Sequence, residues 1–103
     1  MSTSTYIKFY ENEYRTIELI VRDMCEEDFN VDTATSHIES VVNEVSTGIV
    51  MAETVCMVIG NKVRTIVPTS VSNTKGMYWV IWTVRKSGME YKHKTILNIE
   101  ELS

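Results

Sequence analysis

The stretch Lys75-Gly-Met-Tyr-Trp-Val-Ile-Trp-Thr-Val-Arg85 holds both tryptophans of the chain. Alternate residues separate into Tyr78, Val80, Trp82 and Val84 on one side and Trp79, Ile81, Thr83 and Arg85 on the other. A strand built from it is therefore apolar on much of both faces. Such a strand belongs in the middle of a sheet, with one face in a core and the other covered by more of this chain or by another chain.

Downstream, Lys86-Ser87-Gly88 reads as a turn into a strand from Glu90 to Ile99, where Tyr91, His93, Thr95, Leu97 and Ile99 share a face. Upstream, Pro68 has no N–H for a ladder, so it ends the preceding strand and opens a loop from Thr69 to Thr74. Gly60-Asn61 separates the runs Thr54–Ile59 and Lys62–Val67 with the two-residue Gly-X turn that suits paired antiparallel strands. Nearer the start, Tyr6–Glu11 and Tyr14–Asp23 read as two strands around a weak turn at Asn12-Glu13, followed by an acidic loop over residues 24–32.

Residues 34–45 carry two signals. Ser36-His-Ile-Glu39 has the form of a helix capping box, and Ile38, Val41, Val42 and Val45 fall at helical spacing. Ala34, Ser36, Ile38, Ser40 and Val42 equally make one face of a strand, and the run is β-branched and short for an uncoupled helix. The strand is the reading taken, with a hairpin through Ser46-Thr47-Gly48 that returns along Ile49 to Ala52.

Composition agrees. About a third of the 103 residues are Val, Ile or Thr, while Ala occurs only at 34 and 52 and Leu only at 19, 97 and 102. The length suits one domain with a single core, over residues 5–103 behind a loose polar tail at 1–4. Seven or eight short strands joined by tight turns predict an all-β fold, a two-sheet antiparallel sandwich.

The net charge of −4 speaks against a surface built for nucleic acid. Residues 1–60 carry −8 and residues 61–103 carry +4, an asymmetry that either steers contacts between copies or vanishes if strands from the two halves interleave. Cys25 and Cys56 have no metal-ligand spacing and are expected as free thiols, consistent with assembly in a reducing cytoplasm. Neither a signal peptide nor a membrane-spanning apolar run is found, and no membrane association is expected.

Gly60-Asn-x-Val63, then Val67-Pro68, then Gly76-x-Tyr78-x-x-x-Trp82, then the Gly88 turn and a last strand ending at Ile99 resemble small immunoglobulin-like β-sandwich proteins of tailed-phage virions. In such domains a Gly-x-Tyr entry to the penultimate strand turns the tyrosine inward, and Gly76 and Tyr78 match it. The chain departs from antibody domains in lacking a Cys-Trp-Cys core. The resemblance implies a non-enzymatic structural or accessory virion protein, present in multiple copies and bound to capsid or tail proteins. A receptor-binding or adhesion domain at a fibre or baseplate is the alternative. With Tyr78 inward, alternation sends Trp79 and Ile81 outward as interface residues, and Lys92 and Lys94 on the neighbouring strand form their polar rim.

Other chemistry is weaker. Asp28-x-Asn30-x-Asp32 with Glu39 mimics a calcium loop, but Thr33 stands where the turn glycine belongs, so no metal is assigned. His37 and His93 are far apart, and no nucleophile or phosphate-loop context exists, so neither catalytic residues nor cofactors are expected. Lys75, Arg85, Lys86, Lys92 and Lys94, interleaved with Trp79 and Tyr91, make single-stranded nucleic acid a third candidate partner, disfavoured by the acidic remainder.

Overall fold

The computed structural model describes residues 4–21 and 30–101. Eight strands and one helical turn follow in order: β1 (Ser4–Tyr10), β2 (Arg15–Ile20), β3 (Thr33–Val42), β4 (Val45–Val55), β5 (Met57–Ile59), β6 (Lys62–Val67), α1 (Thr69–Ser72), β7 (Gly76–Lys86) and β8 (Met89–Glu100). They form two sheets, one ordered β1-β8-β7-β3-β4 and the other β2-β6-β5. The fold is all-β.

The tryptophan strand is central, as its two apolar faces require. β7 pairs antiparallel with β8 on one side and with β3 on the other. Tyr78, Val80, Trp82 and Val84 are all buried beneath it, together with Ile38 of β3 and Leu97 and Ile99 of β8. Ile17 and Leu19 of β2 and Val63 and Val67 of β6 close the same core from the smaller sheet. Polar groups inside are matched: Ser36 Oγ of β3 donates to Thr65 Oγ1 of β6 at 2.9 Å, tying one sheet to the other. The indole N–H of Trp82 finds Thr95 Oγ1.

Residues 34–45 follow the strand reading, since Ala34, Ser36 and Ile38 are buried in alternation along β3. Gly60-Asn61 forms the expected hairpin, with Ile59 opposite Lys62 and Gly60 at φ +62. The turn also holds the chain around it: Val21 N–H donates to Asn61 O, and Val31 N–H to Gly60 O, both at 2.9 Å.

Several expectations are corrected. The hairpin after β3 does not turn at Ser46-Thr47-Gly48; it turns at Asn43-Glu44, both at positive φ, with Val42 opposite Val45. Gly48 lies inside β4, opposite Ser40, where β4 bulges against β3. Positive φ at Glu44 is rare for a side chain of that kind, so composition alone pointed to the glycine instead. The run from Thr54 to Ile59 is also not one strand: it leaves the larger sheet at Val55 and enters the smaller at Met57. Cys56 makes the crossing, its N–H bonded to Ala34 O.

The sheets are not wholly antiparallel either. β1 runs parallel to β8, from Ser4 opposite Lys94 to Tyr10 opposite Glu100. A turn at Glu11-Asn12 then carries the chain into the other sheet, so β1 and β2 are sequence neighbours that never pair. Ser4, expected in the tail, belongs to β1, and residues 1–3 lie outside the described residues. Within the expected loop 69–74 lies α1, a single turn begun at Pro68, where the missing N–H costs nothing. Its Ser72 hydroxyl donates to Glu13 O at 2.7 Å and fixes it to the β1–β2 turn.

The two charged halves interleave. β7 and β8 lie between β1 and β3, and ion pairs such as Arg64–Glu18 and Lys8–Glu100 cross from one half to the other.

Candidate interaction face

Alternation along β7 sends Met77, Trp79, Ile81, Thr83 and Arg85 to the side of the larger sheet that faces away from the smaller one. The register then decides their neighbours. Trp79 is flanked by Ile96 of β8 and Glu39 of β3; Ile81 by Lys94 and His37; Thr83 by Lys92 and Thr35. Trp79, Ile81, Lys92 and Lys94 therefore meet on one face, on two adjacent strands.

Trp79 faces outward, as alternation requires, and is half-buried there. The ammonium of Lys94 lies 4.3 Å from its ring centroid, a cation–π contact that covers part of the indole. Lys92 is held differently, donating to Thr83 Oγ1 at 2.8 Å and approaching Glu90 Oε1 at 3.7 Å. The two lysines are thus not an equivalent rim: Lys94 is part of the aromatic surface, and Lys92 belongs to the charged margin.

Below Trp79 toward the Asn43-Glu44 turn, the face dips into a depression of about 350 Å³ lined by Val41, Met77, Trp79, Ile96 and Lys94, with Asn43 and Glu44 at its lip. Val41, Met77 and Ile96 complete the apolar surface and were not singled out from the sequence. Met77 and Ile96 each stand two residues from a chosen one, so the period-two pattern contained them. Val41 needed the β3–β7 register, which a single sequence does not supply.

Glu39 borders the indole on the β3 side. Its carboxylate sits 2.6 Å from His37 Nε2, and this hydrogen bond, followed by one from Ser46, holds its pKa below the usual 4.5 despite some desolvation. His93 lies on the opposite, inner side of β8, across from Trp82, where burial pushes its pKa below the usual 6.5. The two imidazoles are on different faces of the sheet and form no joint site.

Of the basic residues weighed for nucleic acid, Lys75 pairs with Glu101 at 3.3 Å and Arg85 with Glu90 at 3.1 Å. These acids offset the charge a phosphate backbone needs. Asp28 of the calcium-like spacing lies outside the described residues; Asp32 Oδ2 is engaged with Ser87 N–H at 2.8 Å, capping the β7–β8 turn. Among the described residues no group of three or more His, Cys, Asp or Glu is placed to hold a metal ion. Cys56 is a free, buried thiol whose pKa burial raises, and Cys25 lies outside the described residues. Among the described residues no helix is long and apolar enough to cross a membrane.

Compared with models of protein families and with characterised proteins, the chain matches none.

Proposed function

We propose that this chain is an immunoglobulin-like β-sandwich that serves, without enzymatic activity, as a structural or accessory virion protein of a tailed phage, docking onto capsid or tail proteins. The strand order supports the fold reading. A five-stranded sheet that starts with a parallel N-terminal strand, faced by a three-stranded sheet made of the second, fifth and sixth strands, is an arrangement immunoglobulin-like domains use. Tyr78 adds to it, its hydroxyl donating to Thr74 O at 2.7 Å just upstream, the corner contact typical of such domains at the entry to this strand. The virion setting rests on the sequence resemblance alone.

The observation that carries the docking reading is the half-buried Trp79 beside the depression of Val41, Met77 and Ile96. Tryptophan concentrates binding energy where a partner completes its desolvation. Lys94 over the ring and Lys92 at the margin favour a partner protein whose rim is acidic. The test is to purify virions carrying either wild-type protein or Trp79→Ala and to count copies per particle by quantitative mass spectrometry. Loss of the folded variant from otherwise normal particles supports the reading. Absence of the wild-type protein from particles ends the virion role, and equal incorporation of the variant ends the role of this face.

A further inference from the structure

We propose that Glu44 is a recognition residue of the Trp79 face, its carboxylate receiving a lysine or arginine of the docked protein at the end of the depression opposite Lys94. The inference deepens the docking role given to this face and rests on it.

The turn that holds this residue breaks a local rule. Val42 pairs with Val45, so Asn43-Glu44 is a two-residue hairpin loop, and its residues have φ +52 and +63. That is type I′ geometry, for which Asn-Gly is the strongly preferred sequence. Asn43 follows the preference and Glu44 does not. Of the four non-glycine residues at positive φ among the described residues, two are asparagine, which tolerates that region, and the others are Ser87 and Glu44. Ser87 is held in place by Asp32, whose Oδ2 accepts its N–H at 2.8 Å. Glu44 has no such contact, since among the described residues nothing bonds to its carboxylate. A side chain kept in a costly conformation without an internal partner points to a role outside the fold.

The position of the carboxylate says what that role is. Glu44 and Lys94 both line the depression beside Trp79, yet they do not pair with each other. The Lys94 ammonium lies on the indole, whereas Val41 stands opposite Met77, so the turn that follows Val42 lies beyond Met77 at the far end. The other acids on that side of the sheet are engaged, Glu39 with His37 at 2.6 Å and Glu53 with the Thr35 hydroxyl at 2.9 Å. The depression is therefore positive at one end, negative at the other, and apolar between them along Val41, Met77 and Ile96. A complementary partner carries an acid for Lys94, an apolar side chain for the middle and a cation for Glu44. A cavity of about 150 Å³ accepts benzene, so the 350 Å³ here has room for a large aromatic side chain. A uniformly acidic surface or a phosphate backbone would meet Glu44 as a like charge, which selects against both.

The experiment has two readouts. One is the melting temperature of the isolated protein; the other is competition for incorporation, in which wild type and a variant are produced together at equal levels and their ratio in purified virions is measured by mass spectrometry. Glu44→Gly is expected to raise the melting temperature, because glycine accepts the left-handed backbone, and yet to be outcompeted by roughly fivefold or more. Glu44→Gln keeps the backbone as it is and removes the charge, so its melting temperature should match wild type while its incorporation falls. Incorporation of Glu44→Gln on a par with wild type overturns the proposal. A Glu44→Gly protein less stable than wild type also overturns it, because the side chain then serves the turn itself. Trp79→Ala in the same competition separates this inference from the docking role: its exclusion while both Glu44 variants compete evenly keeps the face and removes Glu44 from it, whereas even competition by Trp79→Ala ends both.

Discussion

Trp82 and Thr95 are bonded inside the core: the indole N–H donates to the threonine hydroxyl at 2.9 Å, and both side chains are at most 1% exposed. The same hydroxyl lies 2.8 Å from Thr5 Oγ1, so one oxygen links β7, β8 and β1. Thr95→Val keeps the shape and removes the acceptor. A buried N–H left without a partner costs about 1–3 kcal/mol, and that loss is expected in urea unfolding monitored by tryptophan fluorescence. Thr95→Ser keeps the acceptor and should retain most of the stability; equal loss in both variants would mean that packing, not the hydrogen bond, carries the effect.

Gly60 stands at φ +62 at the first position of its turn, and an added Cβ would meet only Asn30 Oδ1 at an ordinary 3.6 Å. The cost of a side chain there is therefore conformational. Gly60→Val is expected to destabilise by about 1–2 kcal/mol through the left-handed backbone alone. Gly60→Asn, which tolerates that region, should lose clearly less. The comparison of melting temperatures decides, and identical values for the two variants would contradict the assignment.

The two tryptophans should respond differently to truncation. Trp82→Ala opens the core and is expected to cost about 3–5 kcal/mol. Trp79, on the outer face with Lys94 over its ring, is only partly covered and should cost clearly less than Trp82 when replaced by alanine. Denaturant midpoints of the two variants measure the difference, and a loss at Trp79 as large as that at Trp82 would place the indole in a core.

Acid should weaken the protein through two groups, one losing its contribution below about 6.5 and the other below about 4.5. The pKa of His93 is depressed by burial, so the folded state favours the neutral ring and the unfolded chain takes up the proton first. The stability this ring contributes is present above about 6.5 and is lost as pH falls from there to the lower folded value. Glu39, depressed by its bonds to His37 and Ser46, contributes stability above about 4.5 that is lost as pH falls through its folded value. His93→Gln is expected to flatten only the first limb of a stability–pH profile and Glu39→Gln only the second. An unchanged profile in either variant refutes that assignment.

The parts of this fold that could be read from sequence are those where a local rule and the tertiary structure agree. Both faces of β7 are apolar and the strand is central; Gly60-Asn61 has the turn chemistry and makes the turn; Ala34, Ser36 and Ile38 alternate and are buried. What stayed hidden depended on distant partners. The bulges of β4 exist only relative to β3, so Gly48 looked like a turn and Asn43-Glu44 did not. The crossing at Cys56 has no marker in its neighbours, since Val55 and Met57 are as strand-forming as the residues on either side. The parallel partner of β1 lies some ninety residues away in sequence. For the outer face, alternation supplied Trp79 and Ile81, whereas the depression needed Val41 from a third strand.

The pairing of β1 with β8 has a mechanical consequence. The two strands run side by side in the same direction over seven registered residues, from Ser4 beside Lys94 to Tyr10 beside Glu100. Tension drawn between the start of β1 and the end of β8 pulls the strands past one another lengthwise. The ladder bonds, the Thr5–Thr95 contact and the Lys8–Glu100 ion pair are then loaded together in shear, whereas a hairpin pulled at its open end gives way one rung at a time. Along that line of force the seam between the first strand and the last acts as a clamp, and rupture requires the whole set to fail at once.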